Sequence, residues 1–422
     1  MKTIVLYFIL NFPLYFKIRN PIYMTFGIFE TLAFACLVLL LGFFIVKRVR
    51  FFRNYNIPEP VVGGFFIAVV LYILNSAMGL SFKFEGSLQT SMMLIFFTSI
   101  GLSAEFEKLK KGGKPLLIFV LLTGTFMIVQ NIFGISIASL LGINPSYGLI
   151  AGSITLTGGH GTGAAWAQNL TDIFHINGAM ELAMACATYG LVMGGLIGGP
   201  VAKVLLKKKN IKPANEVQEK ELPVEMFESP ASNRRINVRN MIETLTMFAI
   251  CLSMGNLLYE YCKDSWLELP NFVWCLFIGV VIRNTINRTS KYVVNDHAVD
   301  VLGNTGLYLF LTIALMSLQL WELEGLATQV LIILVLQTVL MVLFAMFITF
   351  RVMGSDYDAI VLSAGHCGFG LGATPTAVAN MQSITDKYGP SHKAFLIVPM
   401  VGAFFVDILN NLFIKLFVTY LS

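Results

Sequence analysis

Two stretches of this chain concentrate the residue types that hold ions and small anions. The first runs Ser153-Ile154-Thr155-Leu156-Thr157-Gly158-Gly159-His160-Gly161-Thr162-Gly163, and the second Ser363-Ala364-Gly365-His366-Cys367-Gly368-Phe369-Gly370-Leu371-Gly372-Ala373-Thr374-Pro375-Thr376. Glycine costs a helix about 1 kcal/mol per residue relative to alanine, so both stretches are expected to be loops. Backbone carbonyls around Gly159, Gly161, Gly163, Gly365, Gly368, Gly370 and Gly372 suit a hard cation such as Na+, and N–H groups at half-helix N-termini suit carboxylates. The hydroxyls of Ser153, Thr155, Thr157, Thr162, Thr374 and Thr376 can add ligands of either kind. His160 and His366 could carry protons, although a lone histidine in a glycine-rich turn more often holds structure by hydrogen bonding.

Asp407, in Val406-Asp407-Ile408-Leu409-Asn410-Asn411, is the acid deepest in an apolar run. Ionisable groups inside a membrane are expensive and by default functional. Asp407 is therefore expected to hold Na+ or a substrate ammonium, with loop carbonyls completing the Na+ shell; a structural bond to a neighbour such as Asn410 is the competing role. Glu30, Glu181 and Glu243 lie near the ends of apolar runs, where solvated or snorkelling roles are expected. Nucleotide binding is excluded. Neither stretch ends in Gly-Lys-Ser/Thr, and Gly368, Gly370 and Gly372 are spaced by two, which misses GxGxxG. Packing of small residues suits Gly194, Gly195, Gly198 and Gly199 better than the two loops.

The elements that position these residues must be membrane helices. The chain has 422 residues, 56% hydrophobic and 13% charged, against about 25% charged in soluble domains. Runs such as 61–80 carry no charge over the roughly 20 residues that cross a hydrocarbon core. Spans are expected near 26–46, 61–80, 88–103, 116–141, 179–206, 241–261, 271–286, 302–320, 326–350 and 394–418. The net charge of +5 does not point to nucleic acid, because Lys and Arg cluster at span ends. If both glycine-rich stretches are re-entrant, 23 of the 29 Lys and Arg fall on one side, the expected cytoplasm, and Lys83, Lys263 and Lys415 on the other. Were 147–170 to cross fully, the cluster from Lys203 to Lys212 would fall outside. Six cysteines without CxxC spacing argue against disulfides and metal clusters.

Residues 1–23 fit this scheme badly and are expected to be a loosely held extension, with Met24 the physiological start. A first repeat is expected over 24–206, a polar cytoplasmic linker over 207–239 and a second repeat over 240–422. Glu30-Thr31-Leu32 returns as Glu243-Thr244-Leu245, Pro60 as Pro270, Gln130 as Gln337, and Gly159-His160 as Gly365-His366. Five crossings in each half are an odd number, so the second half enters the membrane inverted, which is a transporter signature. The expected fold is an all-α polytopic membrane protein of two inverted five-helix repeats, each with a glycine-rich re-entrant loop. A channel would need pore-lining rings, and an intramembrane enzyme a nucleophile with its base; no such set of residues can be argued, so an enzyme is not expected.

From Met24 onward the chain resembles bacterial sodium/glutamate symporters. The resemblance is carried by Ile57-Pro58-Glu59-Pro60-Val61-Val62-Gly63-Gly64, by the run from Ala151 to Trp166, and by Gly365-His366-Cys367-Gly368-Phe369-Gly370-Leu371-Gly372-Ala373-Thr374-Pro375-Thr376-Ala377. It implies Na+-driven uptake of L-glutamate across the inner membrane, with no cofactor beyond the co-transported Na+. It also implies a re-entrant loop from each half meeting at the translocation site, an elevator-like movement, and a homodimer in the lipid bilayer. The N-terminal 23 residues and the central linker depart from the family pattern without touching the loops. Transport of another anionic amino acid or a dicarboxylate, or coupling to H+, is the alternative.

Overall fold

The computed structural model describes residues 22–54, 57–78, 80–106, 113–174, 176, 178–209, 236–263, 269–289, 292–318 and 327–421. Most of the expected extension and linker lies outside them. The first helices are α1 (Ile28–Arg48), the short α2 (Arg50–Asn54), α3 (Glu59–Met78), α4 (Gly86–Ser103), α5 (Gly113–Leu140), α6 (Pro145–Leu149), α7 (Gly159–Phe174) and α8 (Ala179–Lys209). After the linker come α9 (Val238–Cys262), α10 (Asn271–Thr289), α11 (Asp296–Met316) and α12 (Ala327–Val352). The chain closes with α13 (Tyr357–Leu371), α14 (Thr374–Tyr388), α15 (His392–Met400) and α16 (Val406–Leu421). Among the described residues the one departure from helices and their connections is a parallel pair of four-residue strands, β1 (Ile22–Thr25) and β2 (Leu80–Lys83), in register Met24 to Phe82. Residues 22 and 23 of the expected loose extension are thus paired with 80 and 81.

Helix starts follow local sequence. Asn144, Asn237, Asn295 and Asp356 accept backbone N–H bonds from Ser146, Asn240, Ala298 and Ala359 respectively, which satisfies donors that the first turn leaves free. Pro145 and Pro375 occupy first turns, where a missing N–H costs nothing. Glu30 opens α1 and Lys47 and Arg48 close it, in the sense the helix dipole favours. Glu85 caps α4 by accepting Ser87 N–H at 3.1 Å, and that bond holds its carboxyl below the ordinary range.

Among the described residues seven helices, α1, α3, α5, α8, α9, α11 and α12, are long and apolar enough to cross a membrane. Helices α4, α10 and α15 with α16 occupy the other three expected positions. Two bodies result. In one, α4 packs on α10 and α11, α1 on α3, α9 on α10, and α3 on α11. In the other, α8 packs on α7, α13 and α14, while α5 packs on α6, α12 and α16. Contacts between them run chiefly through α11 with α7 and α8, and through α4 with the turn at 401–405. Glycine sets the close approaches within the first body, as where the Gly101 and Gly279 backbones meet between α4 and α10.

Candidate functional site

The site forms where two helices break. In the first stretch α6 passes into a π turn (Ile150–Ile154) that Gly152 interrupts with φ −102° and ψ −139°; residues 155–158 are non-helical, and α7 restarts at Gly159 with φ +66°. In the second, α13 ends at Leu371, Gly372 lies at φ −138° and ψ −103°, and α14 restarts at Thr374. The expectation of loops is corrected in part. His160, Gly161, Thr162 and Gly163 lie in α7, Gly365, His366, Gly368 and Gly370 in α13, and Thr374 and Thr376 in α14. Several of these glycines serve packing, which outweighs their helix penalty. A Cβ on Gly368 would strike the Ala377 backbone, and one on Gly370 would lie 2.7 Å from Met341 Sδ and 3.2 Å from Phe126.

Both breaks meet at one point. A Cβ on Gly159 would have Gly372 O as its nearest neighbour, at 3.7 Å. Thr157 Oγ1 is placed to donate to Gln130 Oε1 at 2.8 Å or to Gly370 O at 3.2 Å, and Gln130 Nε2 donates to Gly370 O at 3.1 Å. Gln337 Nε2 donates to Gln130 O at 2.8 Å. A glutamine of α5 therefore clasps the broken ends of both stretches, and its counterpart on α12 holds its backbone.

The start of α16 closes the first break. Asn410 Nδ2 donates to Ser153 O at 2.8 Å, and Trp166 Nε1 donates to Asn411 Oδ1 at 2.7 Å. Ser153 N–H donates to Asn131 Oδ1 at 2.8 Å, and Thr155 Oγ1 to Ile150 O at 2.6 Å. Gly158 has no room for a side chain, since a Cβ would sit 2.6 Å from Ile154 O and 2.7 Å from Asn410 Nδ2. Thr162 is buried, and Gly163 lies with its Cα position against the Thr155 methyl, 3.2 Å from a built Cβ. Asp407 is half-buried, and its side chain has no hydrogen-bond partner among the described residues; its carbonyl accepts from Asn411 Nδ2.

The two histidines part company. His160 Nε2 lies 3.0 Å from Thr188 Oγ1, beside the break. His366 is fully buried, with Nδ1 2.9 Å from Thr349 Oγ1 and its ring among Phe119, Phe126, Phe344 and Phe369. Glu181, expected at a solvated end, is buried in the first turn of α8. Thr374 abuts Gly402, and the Thr376 hydroxyl is buried without a partner among the described residues. A crevice of about 330 Å³ lies between α4 and α7, with Gln89, Thr90, Gln168, Thr171 and Asp172 among its lining beside Ala167 and Met180. Sequence reasoning missed Asn131 and Asn411 and used Gln130 and Gln337 only as repeat markers. Their signal was available: amide side chains in apolar helices carry donors and acceptors that lipid cannot satisfy.

Two helices broken against each other inside an apolar helical bundle, with irregular backbone sheltered by protein, define a multi-pass membrane transport protein and not an enzyme. Comparison with known proteins places it further. The family described as Sodium/glutamate symporter matches residues 24–390. A sodium/glutamate symporter of Haemophilus influenzae is 56% identical over 93% of this chain and 97% of its own length. One of Escherichia coli is 51% identical over 92% and 96%. The chain belongs to the sodium/glutamate symporter family. A solved sodium proton antiporter from Methanocaldococcus jannaschii is similar at a TM-score of 0.41 and 13% identity, covering 93% of this chain and 96% of that one.

Proposed function

We propose that this chain couples Na+ to the uptake of L-glutamate across the inner membrane, by alternating access in which one helical body slides against the other. Its relatives are named for sodium and glutamate. The observation that carries the site is the Gln130 clasp: Thr157 and Gly370, from the two stretches, share one buried glutamine at the point where both helices open. Open backbone at such a point offers carbonyls to Na+ and N–H groups to carboxylates. Na+ is cargo here, and the protein needs no cofactor. Loop carbonyls with Asp407 are the assigned Na+ ligands. Glutamate carries one net negative charge, and moving it inward against the membrane potential is opposed by about 2.3 kcal/mol per 100 mV. At least two Na+ per glutamate make the cycle electrogenic in the useful direction.

Pairing of repeat mates supports the inverted repeat. Gln337 bonds the backbone of Gln130, α1 with α3 is matched by α9 with α10, and α4 with α10 is matched by α11 with α3. The concentration of packing within two bodies supports an elevator-like shift, because sliding disrupts chiefly the interfaces of α7, α8 and α11. On this reading both glycine-rich stretches are re-entrant, the Lys and Arg clusters and the central linker are cytoplasmic, and two chains form a homodimer. The test is uptake and counterflow of labelled glutamate in proteoliposomes. An inward Na+ gradient should drive accumulation, and excess aspartate or dicarboxylate inside the competition series should report selectivity. Equal uptake under a K+ gradient, or uptake driven by a proton gradient alone, would overturn Na+ coupling.

A further inference from the structure

Three buried side-chain atoms around Ser153 lack partners among the described residues: Ser153 Oγ, Asn410 Oδ1 and Asn131 Nδ2. All three residues are fully buried. Which atom of each amide is left free does not depend on how the amide is turned in isolation, because the backbone decides it. The Ser153 carbonyl can only accept, so Asn410 must present Nδ2 to it and leave Oδ1 free. The Ser153 N–H can only donate, so Asn131 must present Oδ1 and leave Nδ2 free. A buried polar atom without a partner costs about 1–3 kcal/mol, and the two free oxygens call for a cation or donor between them, whereas the free Asn131 Nδ2 is itself a donor and no ligand of a cation.

We infer that Ser153 Oγ and Asn410 Oδ1 are ligands of one coupling Na+, with Asn131 as the residue that positions Ser153. The two free oxygens are hard neutral donors, the type that suits a hard monovalent cation. They belong to different elements, the π turn of the broken stretch and α16, so an ion between them would tie that helix to the break. Asn131 contributes through the backbone: its Oδ1 fixes the Ser153 N–H at 2.8 Å, which sets the direction of the Ser153 side chain. Gly152 leaves the space for this, since a Cβ there would lie 2.7 Å from Asn131 Oδ1. Asp407 stands three residues before Asn410, on the same face of the helix, where a carboxylate adds negative charge near the cation.

This inference rests on the transport reading but is tested apart from it. The full chain, purified in detergent without glutamate, is melted in NaCl and in KCl at equal ionic strength, and the difference between the two salts is read within each variant. Any general loss of stability cancels in that difference. The parent should melt higher in NaCl, and Ser153→Ala should abolish the difference or weaken its Na+ concentration dependence by tenfold or more. Ser153→Cys keeps the size but replaces a hard oxygen with soft sulfur, and should do the same where the alanine variant fails to fold. Asn131→Leu should weaken Na+ less than Ser153→Ala, as expected of a positioning residue. A parent without a Na+-specific difference, or one preserved in both Ser153 variants, overturns the site and leaves a bridging water as the occupant. Loss of Na+-driven uptake in the parent would instead overturn the transport reading.

Discussion

Replacing Gln130 with leucine tests whether one side chain holds the two broken stretches together. The glutamine is fully buried, accepts from Thr157 at 2.8 Å and donates to Gly370 O at 3.1 Å. A neutral hydrogen bond contributes about 1 kcal/mol net, so losing both costs about 2 kcal/mol. Gly370 O is not orphaned, because Thr157 Oγ1 stands 3.2 Å away and can turn to it. Thr157→Val should cost a similar amount by a different route, since it leaves Gln130 Oε1 buried and unpaired, a penalty of about 1–3 kcal/mol. The double variant strips Gly370 O of both its side-chain donors, a penalty of about 1–3 kcal/mol that neither single variant incurs, and should be less stable than either single variant. Equilibrium unfolding by SDS titration in mixed micelles reads all four corners of this cycle, and 1.4 kcal/mol is a tenfold change in the unfolding constant. Each single variant should also lower glutamate uptake at saturating Na+, because the broken ends lose their shared support. A double variant as stable as the less stable single variant, within about 0.5 kcal/mol, would mean that Gly370 O does not depend on the pair and would refute the clasp.

Asp407→Asn keeps the shape of the side chain and removes its charge; transport should collapse while expression persists, and Na+ dependence should become shallower, whereas unchanged uptake and Na+ dependence would make Asp407 structural. Gly190→Ala places a methyl against the Leu371 carbonyl and should destabilise the α8–α13 contact by about 1–3 kcal/mol, read as a lower melting temperature; a neutral result would show that the helices can separate freely there. In a variant without native cysteines, Lys83→Cys and Tyr261→Cys should label from the periplasm and Asn54→Cys and Arg288→Cys should not; the reverse pattern inverts the assigned orientation. Cysteines at Thr157 and Thr374 should react with permeant thiol reagents and be protected by Na+ with glutamate, and protection of one alone would exclude a shared site.

Residence in the membrane was legible in composition, because a chain with 13% charged residues cannot cover itself for water. Several helix starts rest on local signals that the reading of spans by hydropathy did not use: Asn237, Asn295, Asp356 and Pro375 act on backbone within three residues of themselves. Family membership was carried by contiguous runs around residues 57–64, 151–166 and 365–377, which need no folding to read. What the glycines do was not legible, since a glycine that permits a break and one that admits a neighbouring helix look alike in sequence. Gly372 marks a break, whereas Gly368 and Gly370 sit in helix and are explained by Ala377, Met341 and Phe126. The roles of the histidines separated in the same way, His160 beside the break and His366 inside a cage of four rings drawn from three helices. Gln130 and Gly370 are 240 residues apart, and Ser153 and Asn410 are 257 apart. Which atoms meet across such separations depends on how each helix is rotated and how far it slides, and that is settled by packing, not by any local pattern in the chain.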